Sequence, residues 1–187
     1  MIKVGVTRMY RDVAEEIGIE NYSVVDPYNT RLKNEYSLLI ISRGYREKVK
    51  RLNPFPIFEI SSATFDDLIN SVKGLARLNL GSPEKIERYL LTIEERKNYI
   101  KSLDVKRDVE VNPLSHFLEK VVLDLNIPVS REGIPLVPDY MADRYRGKKA
   151  FILKTHKYHL NTLERVEDRY LSLINLLNSF SGDNLDL

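Results

Sequence analysis

The 187 residues include no cysteine and no tryptophan. Without thiols, disulfides, thiolate metal sites and a cysteine nucleophile are all excluded. Long apolar runs are also missing. The most continuous stretch, Leu38 to Ile41, falls far short of a bilayer-spanning helix. The opening residues, Met1-Ile2-Lys3-Val4-Gly5-Val6-Thr7, lack the apolar run and small-residue cleavage site of a secretory signal. The expectation is therefore a cytoplasmic protein. Glycine is scarce at 8 residues, and no phosphate-cradling loop is built from it. Gly5-Val6-Thr7-Arg8 offers one glycine where the dinucleotide fingerprint needs three, and no Walker lysine follows. No serine sits in a Gly-x-Ser-x-Gly elbow. An excess of one charge is absent too: 29 Lys+Arg stand against 27 Asp+Glu, so bulk charge does not describe a nucleic-acid module.

What is present is a globular composition, 43% apolar and 30% charged. Abundant charge with few glycines fits a thermophilic source. The first eighty residues alternate between strand and helix periods. Ile2 to Val6 reads as a strand, Arg8 to Ile17 as a helix, and Tyr22 to Val25 as a strand closed by Asp26-Pro27. Tyr36 to Ser42 is apolar on both faces, as a buried parallel strand requires. A short basic helix over Arg46 to Leu52 and a strand over Pro56 to Ile60 follow. Then comes a helix capped by Ser62 or Thr64, with Phe65, Leu68, Ile69 and Val72 inward. Ser82-Pro83-Glu84 opens a long helix reaching about Leu103. Beyond a charged link or edge strand at 104–111, Pro113 to Leu125 reads as a helix, with His116 partly buried beside its apolar stripe. Residues 126–147 read as loop with short strands, Lys149 to Lys154 as a strand and Glu164 to Phe180 as the closing helix.

The expected fold is α/β: a small parallel sheet with flanking helices, a long central helix and a smaller C-terminal α/β lobe. The divisions are a Rossmann-like lobe over 1–81, a connecting helix over 82–103, the smaller lobe over 104–180 and a flexible tail over 181–187.

Polar residues follow the strands of the first lobe: Thr7 and Arg8, Asp26, Ser42 and Arg43, Ser61 and Ser62. Ligands of open parallel sheets collect at such carboxyl ends. The plainer reading of each residue is turn chemistry or a helix cap. Residues 141–160 add a second cluster, with Arg144, Arg146, Lys148, Lys149, Lys154 and Lys157 against Asp143 alone. Here His156 and His159 stand three apart, a spacing that chelates a metal on a helical turn but not on a strand. A solvated basic loop is the simpler account.

Pro138-Asp139 before a strand containing Lys154 is similar to the arrangement of metal-dependent nucleases of the PD-(D/E)XK type. In that pattern carboxylates hold Mg²⁺ while a lysine helps activate water. The acid expected two residues before Lys154 is replaced by Ile152, which leaves Glu119 to complete the set. The catalytic reading is thus Glu119, Asp139 and Lys154, with nucleic acid as substrate.

The stretch from Tyr36 to Leu103 carries a family resemblance. Tyr36-Ser37-Leu38-Leu39-Ile40-Ile41-Ser42 is followed by Phe55-Pro56-Ile57-Phe58-Glu59-Ile60-Ser61-Ser62. Thr64-Phe65-Asp66-Asp67-Leu68-Ile69-Asn70-Ser71-Val72 and the long helix from Ser82 come next. This succession resembles the substrate-binding receptors built on one long backbone helix, which carry cobalamin, ferric siderophores or metal ions. The resemblance implies a two-lobed α/β protein with a cleft.

The leading functional expectation is a binding or accessory protein for a small anionic or cofactor-like ligand, with no cofactor identified. The ligand would lie between Thr7, Arg8, Asp26, Ser42, Arg43, Ser61 and Ser62 on one side and Lys154 and His156 on the other. A third reading is a structural subunit or homodimer, from the wide apolar arc of Tyr170, Leu171, Leu173, Ile174, Leu176 and Leu177.

Overall fold

In the computed structural model, residues 2–33, 35–154, 157 and 159–180 are described. The chain divides into two units, Met1–Glu94 and Glu95–Leu187.

The first unit is organised by four parallel strands, β1 (Val4–Thr7), β2 (Tyr22–Val25), β3 (Leu38–Ser42) and β4 (Ile57–Ile60), in the order β2-β1-β3-β4. The two central strands are the buried ones. All four residues of β1 are buried, as are Leu39, Ile40 and Ile41 of β3. That two-sided burial explains why β3 is a continuous apolar run rather than an alternating one. Four helices belong to this unit: α1 (Arg11–Glu16), α2 (Arg46–Leu52), α3 (Phe65–Arg77) and the first part of α4 (Pro83–Ser102). A 3₁₀ turn over Arg8–Tyr10 precedes α1, so the helix expected from Arg8 begins one turn later.

Local chemistry sets the helix ends. Thr64, not Ser62, caps α3 by accepting the Asp67 amide at 3.1 Å. Its inward face is Phe65, Leu68, Ile69, Val72 and Leu75, all buried. Each such side chain contributes roughly 1.5–3 kcal/mol on burial. Between α3 and α4 the chain reverses at Gly81, whose φ is +89°. A Cβ there would stand 2.3 Å from the Ile17 carbonyl oxygen, so both the backbone conformation and the close approach demand glycine. The twenty residues of α4 span about 30 Å. Ile86, Tyr89, Ile93 and Ile100 are buried along it, while Leu90 is only half-buried.

The second unit contains β5 (Val111–Pro113), β6 (Ile134–Pro138) and β7 (Phe151–Leu153), parallel in the order β5-β6-β7. Helices α5 (His116–Asp124) and α6 (Thr162–Ser179) belong with them. Pro113, expected to open a helix, instead ends β5. The ladder continues past it, with the Leu114 amide donating to the Leu136 carbonyl at 2.9 Å, and Ser115 caps α5 two residues later. Proline is tolerated there because a strand terminus has no need of its missing donor. His116 proves exposed rather than partly buried and stands 3.3 Å from Glu119.

Helix α6 starts two residues before the expected Glu164. Asn161 and Glu164 form a reciprocal capping box, each side chain accepting the other's amide at 2.8 Å. The apolar arc of α6 is largely spent within the fold, since Tyr170, Leu173, Ile174 and Leu177 are buried and Leu171 and Leu176 half-buried. The Tyr170 hydroxyl donates to Asp124 at 2.5 Å, and Lys101 pairs with the same carboxylate at 2.7 Å. The tail expected over 181–187 lies outside the described residues.

No helix among the described residues is long and apolar enough to cross a membrane.

Candidate functional site

In the first sheet, β1 steps to β2 on one side, and the chain then crosses back to place β3 on the other. A parallel sheet opens a crevice at such a reversal, at the carboxyl ends of the strands. Thr7 is the last residue of β1 and Ser42 the last of β3, so sequence-expected residues flank the reversal. The register aligns the other strand ends with them, Thr7 beside Val25 of β2 and Ser42 beside Ile60 of β4. Asp26 and Ser61 then follow the two outer strands.

Thr7 is only 2% exposed, and among the described residues its hydroxyl has no hydrogen-bond partner. A buried hydroxyl without a partner is costly, roughly 1–3 kcal/mol. Arg8 follows as the exposed residue of the 3₁₀ turn, and Arg43 lies on the exposed loop after β3. Among the described residues neither guanidinium takes part in an ion pair or hydrogen bond. Ser42 bridges the two loops, its hydroxyl 3.5 Å from the Met9 sulfur, a weak acceptor.

Other expected residues have structural employment. Asp26 accepts the Tyr28 amide at 3.1 Å, which is turn chemistry. The Ser61 amide and carbonyl are both bound by Ser71 Oγ, at 3.0 and 2.9 Å. Ser62 Oγ lies 3.3 Å from the buried Tyr10 hydroxyl.

Three residues that sequence reasoning left aside complete the crevice. The Ser42 amide donates to the Tyr28 hydroxyl at 2.9 Å. The Tyr28 ring meets Tyr45 edge to face, with centroids 5.1 Å apart. Glu59 of β4 fixes the loop carrying Arg43, Gly44 and Tyr45. One of its oxygens accepts the Gly44 amide at 2.9 Å and the Arg46 amide at 3.3 Å, and the other pairs with Arg46 Nε at 3.1 Å. Burial pushes the Glu59 carboxyl upward, but the Arg46 guanidinium and the two amides outweigh it and hold the group below its ordinary value. Gly44 lies at φ +89°, and nothing comes within 4 Å of where a Cβ would stand. The only sequence sign of this loop is Arg-Gly-Tyr directly after a buried strand.

A groove of about 590 Å³ lies between α3 and α4, with Ile69, Ala76, Leu80, Ile86 and Leu90 in its walls. Lys73, Asn79, Glu87 and Glu94 also line it, and it shares no residue with the strand ends.

In the second unit, Asp139 follows β6 and Lys154 follows β7, while Glu119 lies on α5 facing His116. His159 is exposed, and His156 lies outside the described residues. Among the described residues no three His, Cys, Asp or Glu side chains gather where they could hold a metal ion. The strand ends carry the Thr7 hydroxyl and the Arg8 and Arg43 guanidiniums, which are donors of the kind an anion needs.

In fold the chain is similar to several solved substrate-binding proteins. It is similar to FpvC from Pseudomonas aeruginosa in complex with Mn²⁺, at TM-score 0.59 and 11% identity over 95% of this chain and 99% of that one. It is also similar to BtuF, the periplasmic vitamin B12 binding protein of Vibrio cholerae, at TM-score 0.56 and 11% identity over 94% and 96%. A zinc-bound ZnuA deletion mutant aligns at TM-score 0.54 and 10% identity over 97% and 100%. Identities this low speak for the fold alone.

The closer relationship is to the MJ0786 family, to which this chain belongs. The family's N-terminal domain matches residues 5–97 and its C-terminal domain residues 107–182. An uncharacterized protein, MJ0786 of Methanocaldococcus jannaschii, is 43% identical over 180 residues, 96% of each chain.

Proposed function

We propose that this protein binds a small anionic ligand at the carboxyl ends of β1 and β3. The observation that carries the reading is that Thr7 ends β1, Ser42 ends the neighbouring β3, and Arg8 and Arg43 directly follow them. Among the described residues the Thr7 hydroxyl is buried without a partner, and the Arg8 and Arg43 guanidiniums have no carboxylate. The buried Thr7 hydroxyl carries a desolvation cost that a ligand hydrogen bond would relieve, and the two exposed guanidiniums, solvated in the free protein, are available to pair with an anion. The solved structures of similar fold include proteins in complex with Mn²⁺, with zinc bound and named for vitamin B12 binding, which supports small-ligand binding in general. A bare cation does not suit donors that are themselves positive or hydroxylic, so the anionic class is preferred here.

The test is a thermal-shift and native-mass screen against phosphorylated and polycarboxylate metabolites. It is repeated with Arg8→Ala and Arg43→Ala, which remove exposed side chains and leave the core intact. The expected result is a ligand-dependent rise in Tm that each variant reduces. A full screen without binding, or binding indifferent to both variants, refutes the proposal.

A further inference from the structure

The loop after β3 holds an aromatic side chain in an unusual way. Tyr45 is 47% exposed, yet its backbone is bracketed on both sides by one carboxylate, because Gly44 and Arg46 donate their amides to the same Glu59 oxygen. Its ring is propped edge to face by Tyr28, which is itself tied to the Ser42 amide. Space is open beside Gly44, and Arg43, whose guanidinium has no partner among the described residues, immediately precedes it. Exposed tyrosines usually gain from rotational freedom, and ordering one at the surface costs side-chain entropy. Here three hydrogen bonds hold the backbone on either side of Tyr45 and its neighbour Tyr28, and a second ring props it, two residues after Arg43.

We infer that Tyr45 is a stacking platform and that the anionic ligand carries a planar heteroaromatic ring next to its charged group. The inference rests on the anion-binding proposal above and deepens it. The ring lies against Tyr45 while the phosphate or carboxylate engages Arg43, Arg8 and the Thr7 hydroxyl. Stacking on an aromatic side chain and the reach of an adjacent guanidinium are independent of ring identity, so the class is set by shape and charge.

The experiment compares anions with and without a ring by calorimetry on the full chain. Adenosine diphosphate and flavin mononucleotide are titrated beside pyrophosphate and glycerol phosphate. At least one ring-bearing anion is expected to bind about 5- to 100-fold more tightly than the ringless ones. Tyr45→Ala is expected to abolish that difference, Tyr45→Phe to keep it, and Arg43→Ala to weaken both kinds of probe. Thermal melts of the variants establish that they are folded. If ringless and ring-bearing anions bind equally, or if Tyr45→Ala leaves the difference intact, the platform is refuted while the anion site stands. If none of the four probes binds, both the platform and the anion site are rejected for phosphate-bearing ligands.

Discussion

Replacing Thr7 by valine separates a structural role from a functional one. Valine keeps the branched shape and suits a strand at least as well as threonine. The change removes a hydroxyl that is 2% exposed and without a partner among the described residues. If that hydroxyl waits for a ligand, the ligand-free protein carries its desolvation cost of roughly 1–3 kcal/mol. A buried methyl adds up to about 0.8 kcal/mol. Thr7→Val is therefore expected to stabilise the free protein by about 1–4 kcal/mol, which for a chain of this length raises Tm by at least roughly 2–4 °C. The same change removes a hydrogen bond to a charged ligand group and should weaken binding by about 1.5–3 kcal/mol, ten-fold or more. Differential scanning calorimetry of the free protein and titration with the anion found by screening measure the two effects separately. A variant that melts lower than the parent, or binds the anion equally well, shows that the hydroxyl serves the fold and not a ligand.

Three further outcomes follow from the same geometry. Asn53 is fully buried and donates to the Pro27 and Thr30 carbonyls at 3.1 Å while accepting the Leu32 amide at 2.8 Å. Asn53→Ala leaves those backbone groups without partners and should cost about 2–4 kcal/mol in urea denaturation, with faster hydrogen exchange at the Leu32 amide. Unchanged protection of that amide would count against the assignment. Gly81→Ala forces a left-handed backbone and a 2.3 Å contact with the Ile17 carbonyl, so a loss above about 2 kcal/mol is expected. Glu59 is held below its ordinary value when folded, so its contribution is complete above the unfolded value of ~4.3 and disappears as pH falls through the lower folded value. The stability difference between the parent and Glu59→Gln should accordingly narrow in acid. A difference that is constant from pH 7 to pH 3 rules out the carboxylate as the loop's anchor.

The parallel sheet of the first unit was legible because burial on both faces leaves a signature that short windows capture. Leu38-Leu39-Ile40-Ile41 cannot sit on a half-exposed strand. The long helix was legible for a different reason: Ser82, Pro83 and Glu84 satisfy its first turn, and no later residue interrupts it. Pro113 misled because the same residue suits the first turn of a helix and the end of a strand. The pairing of β5 with β6, including the Leu114–Leu136 hydrogen bond, distinguishes the two, and the partners lie far apart in the chain. Of the candidate site, Thr7, Arg8, Ser42 and Arg43 were reachable from their positions after strands. Asp26, Ser61 and Ser62 sit at equivalent positions but serve a turn or link neighbouring elements, and position alone does not tell these uses apart.

Local spacing therefore determined the strands of the first unit, the long helix and which hydroxyls and cations stand at strand ends, but not every element boundary. Tertiary structure decided which of them adjoin and which are already satisfied. Tyr28, Tyr45 and Glu59 enter the crevice only because β3 lies between β1 and β4, an order that depends on contacts between distant residues. The unpartnered state of the Thr7 hydroxyl is likewise a property of everything packed around it, and no run of neighbouring residues encodes that directly.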